Sequence, residues 1–581
     1  MDRAAPPTQA EIEAVVRAYL GRVARRYLPL LAGAVVLLLI VVFVPTATPR
    51  NNDNQTLSGT GALGTQQGGP AASGSAPAPG AAVPGAPTGQ LAGGSGQVTG
   101  QSGGAAVPAG PVAPSTSGVA RSGVRCGAGK KQVTWSVYSP PCVARYTGNN
   151  GGATTRGVTG TTITLSYRET HSADDAAISA ATGSAAPPSD STYEADLNTY
   201  INYFNQQFEL YGRKVVLKPF NGQGDYIQED QGQGAATAQA DAATAHSLNA
   251  FGDVTFQLRG SNPYWTGLAQ QRIVAWGPLG FPTSYYQRNA PYWWSYTPSG
   301  SNEAAWFGNL TCRRLAGMNA IFSPNVTYQN EVRKFGLIHP DNPEYVAVAN
   351  DLKQRLKACG VSLAREASYS INVAQYQTEA TNVMAQMQSA GVTTVLCYCD
   401  PVVPIFLANS AQSQQYKPEW VQPYWGDPQA RQPDNGNWQG VIASGGQWPT
   451  KAKNEAYQVY KMASGGAEPH EKYFAAAYAT LMQVYMGLQS AGPTLTPQNL
   501  QRGYQSLPPT GASTAGQWSF AGTNVFTPQA TAEVAYFDPN YTSNFDGMTG
   551  GYRNCDNGTF FPYANENAWG GPKQQIHCFG K

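Results

Sequence analysis

A strand, a helix and a second strand with short joints can be read between Gly157 and Asp225, and that order restricts the fold more than anything else in the chain. The segment opens GVTGTTITLSY and closes DLNTYINYFNQQFELYGRKVVLKPFNGQGD. Ile163 to Tyr167 is a β-branched run led in by Gly and Thr, which predicts a strand. Leu197, Ile201, Phe204 and Phe208 recur at helical spacing and imply one apolar face. Tyr211-Gly212-Arg213 then places Gly where a helix C-cap is expected. Val215 to Phe220 is a second apolar strand. Such a βαβ unit requires a parallel sheet with helices on its faces, and so an α/β protein.

The same residues resemble the opening of the type I periplasmic binding proteins, the branched-chain amino-acid-binding relatives that serve ABC importers. That family opens with a Gly-Val-Thr lead into strand one, an Ile-Asn-Tyr-Phe-Asn helix, a Gly-Arg-Lys turn and a strand ending near Gln-Gly-Asp. The ordered likeness continues to about Pro539. It implies a two-lobed α/β fold with parallel sheets flanked by helices, a hinge of several crossovers, and a ligand cleft between the lobes. On that plan lobe one spans 122–297 and 448–522, and lobe two spans 298–447 and 523–540. A tail follows at 541–581.

The chain has 581 residues, more than one compact domain, so at least two core-bearing units and some non-globular sequence are expected. Its net charge is +2 and only 12% of residues are charged. There is no basic footprint for nucleic acid. Residues 1–26 are polar and basic, with Arg17, Arg22, Arg25 and Arg26. Residues 27–45 then form a bilayer-length apolar segment, in which Leu28 to Val44 is broken only by Pro29 and Gly33. With the arginines in front of it, the N-terminus is expected in the cytoplasm and the remainder outside, which makes a single-pass membrane protein. A cleaved signal peptide, cut near Pro45-Thr46-Ala47, is the competing reading. Residues 46–121 are Gly, Ala, Pro, Ser, Thr and Gln with almost no large apolar side chain. That composition predicts a disordered spacer with ends roughly 45–50 Å apart.

Eight cysteines all follow the apolar segment, which suits disulfides. Cys126–Cys142 and Cys555–Cys578 are the expected local bridges. Cys312, Cys359, Cys397 and Cys399 allow three pairings, of which Cys312–Cys359 is preferred. The Cys126–Cys142 cap resembles the N-terminal extension of exported actinobacterial-type members of the family. The tail, rich in Gly, Asn and aromatics, is expected to be a stapled loop.

After the opening unit the strand–helix alternation continues. Strands are expected at Val254–Leu258, Ile273–Trp276, Lys334–Ile338, Val361–Ala364, Thr393–Tyr398, Trp420–Tyr424, Val441–Ser444 and Ala532–Asp538. Helices are expected at Ala235–Leu248, Pro263–Gln270, Glu303–Ala320, Thr378–Ala390, Val402–Ala411, Glu471–Ser490 and Leu495–Leu507. Phe281 to Pro298 reads as an aromatic-rich extended stretch.

Open parallel sheets bind ligands at the carboxyl ends of their strands. By the resemblance, lobe one offers Arg168, the Arg259-Gly260-Ser261-Asn262 loop and the Gly277-Pro278-Leu279-Gly280 loop. Lobe two offers Tyr376, Cys399-Asp400 and Tyr424-Trp425-Gly426-Asp427. Ser261 takes the place of the family's ligand-carboxylate hydroxyl. Tyr264 and Trp265, with Trp276, Tyr285, Tyr286, Trp293 and Trp294, add aromatic surface suited to rings, sugars or apolar ligands. The α-amino-acid set is not intact: the family's Ser/Thr-rich loop after strand four is here GPLGFP, and its ammonium-binding carboxylate aligns with Trp425. The ligand set is therefore Arg168, Ser261, Asn262, Tyr264, Trp265, Pro278, Gly280, Tyr376, Asp400 and Trp425, for a ligand other than a plain α-amino acid.

Nothing in the sequence suggests catalysis. The five histidines have no metal spacing, and no nucleophile elbow, Walker loop or dinucleotide fingerprint is present. No metal or cofactor is expected. Asp174-Asp175 and Glu229-Asp230 read as solvated acidic pairs. The function implied is an extracytoplasmic solute-binding protein partnered with an ABC permease. A ligand-binding sensor or co-receptor without transport, and a structural envelope protein with a closed-over cleft, are the alternatives.

Overall fold

The computed structural model describes residues 117–182, 189–423, 439–470, 473–512, 516–522 and 525–578. The expected membrane segment at 27–45, most of the spacer and Trp425 lie outside them. Among the described residues no helix is long and apolar enough to cross a membrane.

Lobe one is built on four parallel strands, β1 (Thr162–Glu169), β2 (Lys214–Asn221), β3 (Gly252–Asp253) and β4 (Val274–Ala275), in the order β2-β1-β3-β4. Helices α1 (Asp190–Gln207), α2 (Tyr226–Asp230), α3 (Ala235–Ser247) and α4 (Asn262–Gln270) connect them. The apolar stripe of α1 is buried as its spacing requires, with Leu197, Tyr200, Ile201 and Phe204 at 2% exposure or less. The helix ends at Gln207, with the Phe208 N–H donating to the Phe204 carbonyl. Tyr211 and Gly212, both at positive φ, form the later turn into β2 rather than the expected C-cap.

The expected strand at Val254–Leu258 is only Gly252–Asp253, followed by a 3-10 turn at Gln257–Arg259. The Asp253 carboxylate accepts the Thr255 N–H at 3.0 Å, which takes that donor out of the ladder. Phe281 to Pro298 is not extended. It contains a helix at Thr283–Arg288 and folds into the lobe-one core, where Tyr286, Trp293 and Trp294 are fully buried.

Lobe two carries β5 (Phe335–Pro340), β6 (Leu363–Tyr369), β7 (Thr394–Cys397), β8 (Glu419–Pro423), β9 (Val441–Ser444), β10 (Val534–Thr542) and β11 (Thr549–Asn554), in the order β11-β10-β9-β8-β7-β5-β6. The strands from β6 to β9 in that order are parallel, and β10 and β11 add antiparallel to the β9 edge. The tail thus supplies a sheet strand as well as a stapled loop. Its helices are α5 (Gly300–Leu310), α6 (Pro343–Ala358), α7 (Tyr376–Ser389) and α8 (Val403–Ser413). The helix expected to reach Ala320 instead passes into a π turn at Thr311–Leu315. The chain then returns to lobe one with α9 (Glu455–Ala463), α10 (Phe474–Ser490) and α11 (Pro497–Ser506). Helix α10 is buried along nearly its whole length.

The cysteines form Cys126–Cys142, Cys312–Cys359, Cys397–Cys399 and Cys555–Cys578. The first staples a small hairpin in which Gly118–Val119 pairs with Arg125–Cys126, so residues at the end of the expected spacer take part in a strand pair.

Candidate functional site

The sequence motif NGQGD at the end of β2 closes over a buried ion cluster. Arg168, at the end of β1 and fully buried, donates from Nη1 and Nη2 to Glu229 at 3.1 and 2.5 Å and from Nε to Asp241 at 2.9 Å. Its guanidinium lies 4.5 Å from the centroid of the Tyr264 ring. Asp241 also accepts the backbone N–H groups of Gln223 and Gly224. A Cβ on Gly224 would stand 1.9 Å from the Glu229 carboxylate, so only glycine lets the loop approach this closely. Ser261 caps α4 by accepting the Tyr264 N–H, and its hydroxyl donates to Glu229. The hydroxyl expected to meet a ligand carboxylate is thereby held by a protein carboxylate. Tyr264 is buried and donates to Asp253 at 2.9 Å. Asn262 accepts from Thr266 along α4, and the Pro278 carbonyl accepts the Tyr286 hydroxyl.

In front of this cluster, between the lobes, lies a cavity of about 120 Å³. Trp265, Gly280, Tyr376 and Asp400 of the expected set line it. Arg168, Ser261, Asn262, Tyr264 and Pro278 do not, and Trp425 is outside the described residues. The other aromatics named from the sequence, Trp276, Tyr285, Tyr286, Trp293 and Trp294, belong to lobe-one packing.

The cavity wall also contains residues that the sequence did not place in the ligand set. Tyr226 and Asp230 come from α2, Gln257 from the 3-10 turn, Glu344 and Tyr345 from the first turn of α6, and Ile371 and Val373 from the loop before α7. The pair Glu229-Asp230 is not a solvated face. Glu229 turns inward to Arg168 and is 2% exposed, while Asp230 faces the cavity. The lobes meet across the cleft where Asn342 Nδ2 donates to the Asp230 carbonyl at 2.5 Å. At the hinge the Tyr398 hydroxyl donates to the Gly280 carbonyl at 2.9 Å. Ile178, Tyr226 and Ile227 share an apolar cluster with Ile371, Val373 and Tyr376 of lobe two.

The electrostatics of this wall are one-signed. Burial pushes the Asp230 carboxyl well above the ordinary carboxylate range; the charges of Glu344, Glu229 and Asp400 push it further, and Arg168 opposes them. Burial also raises Glu344 and Asp400. Asp400 is partly compensated: it accepts the N–H groups of Val402 and Val403 at 2.7 and 3.2 Å and the Tyr369 hydroxyl at 2.6 Å. A second cavity, of about 340 Å³, shares Gln257, Leu258 and Leu279 with the first. Its Glu303 carboxyl is pushed by burial up to about 8. Among the described residues no cluster of three or more His, Cys, Asp or Glu side chains is placed to hold a metal ion.

A family profile described as periplasmic binding protein matches residues 176–535. None of the curated proteins compared matches the chain. Among solved structures, the fold is similar to the leucine-, isoleucine-, valine-, threonine- and alanine-binding protein of Brucella ovis in its closed conformation. That similarity has 14% identity, covers 69% of this chain and 96% of that chain, and has a TM-score of 0.50. A fatty acid ABC transporter substrate-binding protein from Thermomonospora curvata matches at 13% identity over 72% of this chain and 97% of that one, with a TM-score of 0.49.

Proposed function

Because this chain belongs to the periplasmic binding protein family, we propose that it is a membrane-anchored extracytoplasmic solute-binding protein that captures a small molecule between its lobes and delivers it to an ABC-type importer. The observation that carries this reading is the interlobe cavity, walled by residues of both lobes and crossed by the Asn342 bond to the Asp230 carbonyl. A structural protein with a closed-over cleft has no use for such a space. The chain acts by binding rather than by catalysis. Residues 27–45 serve as the bilayer anchor and 46–121 as the spacer that carries the lobes away from the membrane.

The test is calorimetric titration and thermal unfolding of the full chain in detergent against amino acids, sugars, aromatic acids, amines, nucleosides and lipids. A solute at 100 times its Kd stabilises the folded state by about 2.7 kcal/mol. At least one class is expected to do so and to be lost in Trp265→Ala. No stabilisation by any class, from a sample that unfolds cooperatively, overturns the binding reading. Uptake of the bound solute by cells lacking the chain separates transport from sensing: uptake falls if the chain feeds an importer and is unchanged if it is a co-receptor.

A further inference from the structure

Three carboxyl side chains, Asp230, Glu344 and Asp400, converge on one apolar cavity, and among the described residues no lysine or arginine lines it. Two cations lie nearby and both have carboxylate partners: Arg168 is held by Glu229 and Asp241, and Arg259, 5.7 Å from the Tyr226 ring centroid, lies 3.7 Å from Asp175 and 3.6 Å from Asp190. The same wall carries Tyr226, Tyr345 and Tyr376, whose ring faces are electron-rich. Two further wall residues, Gln257 and Trp265, are 8% and 3% exposed, and their Nε2 and Nε1 donors have no hydrogen-bond partner among the described residues. A buried donor without an acceptor costs free energy, and a carboxylate without a cation costs more. Both residues line the same space as the three carboxyls, so a cation and a hydrogen-bond acceptor would be complementary parts of one molecule.

We infer that the cleft takes an organic cation: an ammonium-bearing solute with an apolar or aromatic body, a neutral hydrogen-bond acceptor such as a hydroxyl or carbonyl, and no carboxylate. The inference rests on the solute-binding reading above and names its ligand class. The ammonium faces Asp230, Glu344 and Asp400 with tyrosine rings around it, which supplies both charge pairing and cation–π contact. The acceptor meets Trp265 and Gln257. A carboxylate is disfavoured because the Ser261 hydroxyl is bonded to Glu229 and because an anion here faces three carboxyls at close quarters.

The experiment titrates the full chain in detergent with three probes of similar shape: tyramine, 4-hydroxyphenylacetamide and 4-hydroxyphenylacetate. Choline is added as an aliphatic ammonium with a hydroxyl. Tyramine or choline is expected to bind at least about tenfold more tightly than the amide or the acid. Glu344→Gln and Asp230→Asn are each expected to weaken the amine by about tenfold while leaving the unfolding temperature near that of the parent chain. Asp400 is left in place because its carboxylate also caps α8. Trp265→Phe removes a donor without a charge, so it is expected to weaken all bound probes without altering their ranking.

Binding of the acid or amide as tightly as the amines overturns the cation assignment, and so does failure of both amines to bind. Charge-neutral variants with unchanged amine affinity overturn it as well. In each of these cases the solute-binding reading stands if any other class is bound, and falls only if none is.

Discussion

Arg168 shows how one side chain can match a family position and yet do different work. Its guanidinium is fully buried and satisfied by two carboxylates, with Tyr264 against its face. Arg168→Met leaves Glu229 and Asp241 buried without their cation, and is expected to destabilise lobe one by about 3–5 kcal/mol. Arg168→Lys keeps the charge but not the planar fork, and is expected to recover only part of that. Denaturant midpoints check both; a variant that alters ligand affinity with stability intact contradicts the structural role. The same residue explains what could be read of the site. Gly280 and Asp400 sit on strand-end loops, and Trp265 and Tyr376 in the first turns of α4 and α7, whose place in the fold follows from strand order, so their approach to the cleft was legible. Asp230 and Glu344 were not, because nothing local distinguishes a carboxylate facing a cavity from one facing water. Only the packing of α2 against Arg168, which turns Glu229 inward, sends its neighbour outward to the cleft.

At the scale of elements, apolar runs bounded by turn residues gave away β1, β5 and β7, because parallel strands covered on both faces must be nearly continuously hydrophobic; β2, an edge strand with only Val215 fully buried, was legible from its short apolar run. Strand β11 carried no such pattern. Its sequence is TGGYRN, and it becomes a strand because β10 offers it an unpaired edge, with Phe537 opposite Tyr552. Its end is fixed by Cys555, whose partner Cys578 lies 23 residues on. Closing a loop of that length contributes about 3–4 kcal/mol in the chain-entropy account. Cys555→Ser with Cys578→Ser is therefore expected to lower stability by about that amount. The tail should stay docked, since Trp569 is fully buried and stacks on Phe561 at 4.5 Å. Hydrogen exchange on β10 and β11, alongside a denaturant curve, checks the result. Wholesale loss of protection across β5 to β9 shows instead that the tail holds the whole sheet.

At the scale of the molecule, the two lobes are held together by contacts that an open cleft cannot keep. The Asn342 bond to the Asp230 carbonyl crosses between them, and Ile178, Tyr226 and Ile227 share an apolar cluster with Ile371 and Val373, whereas the Tyr398 bond to Gly280 lies at the hinge. A ligand can favour this closed arrangement only by as much as it binds it better than the open one. The cross-lobe contacts therefore set how long the solute is held rather than whether it is recognised. Asn342→Ala removes one neutral hydrogen bond, worth about 1 kcal/mol net, to the Asp230 backbone carbonyl and leaves every carboxyl side chain of the wall in place. The dissociation rate is expected to rise about fivefold, with the association rate unchanged, since encounter occurs with the lobes apart. Stopped-flow tryptophan fluorescence measures both rates, and small-angle scattering reports the mean separation of the lobes. If the loss falls instead on association, Asn342 helps to guide the solute in; if neither rate moves, closure rests on the apolar contacts, and Ile371→Ala becomes the variant that opens the cleft.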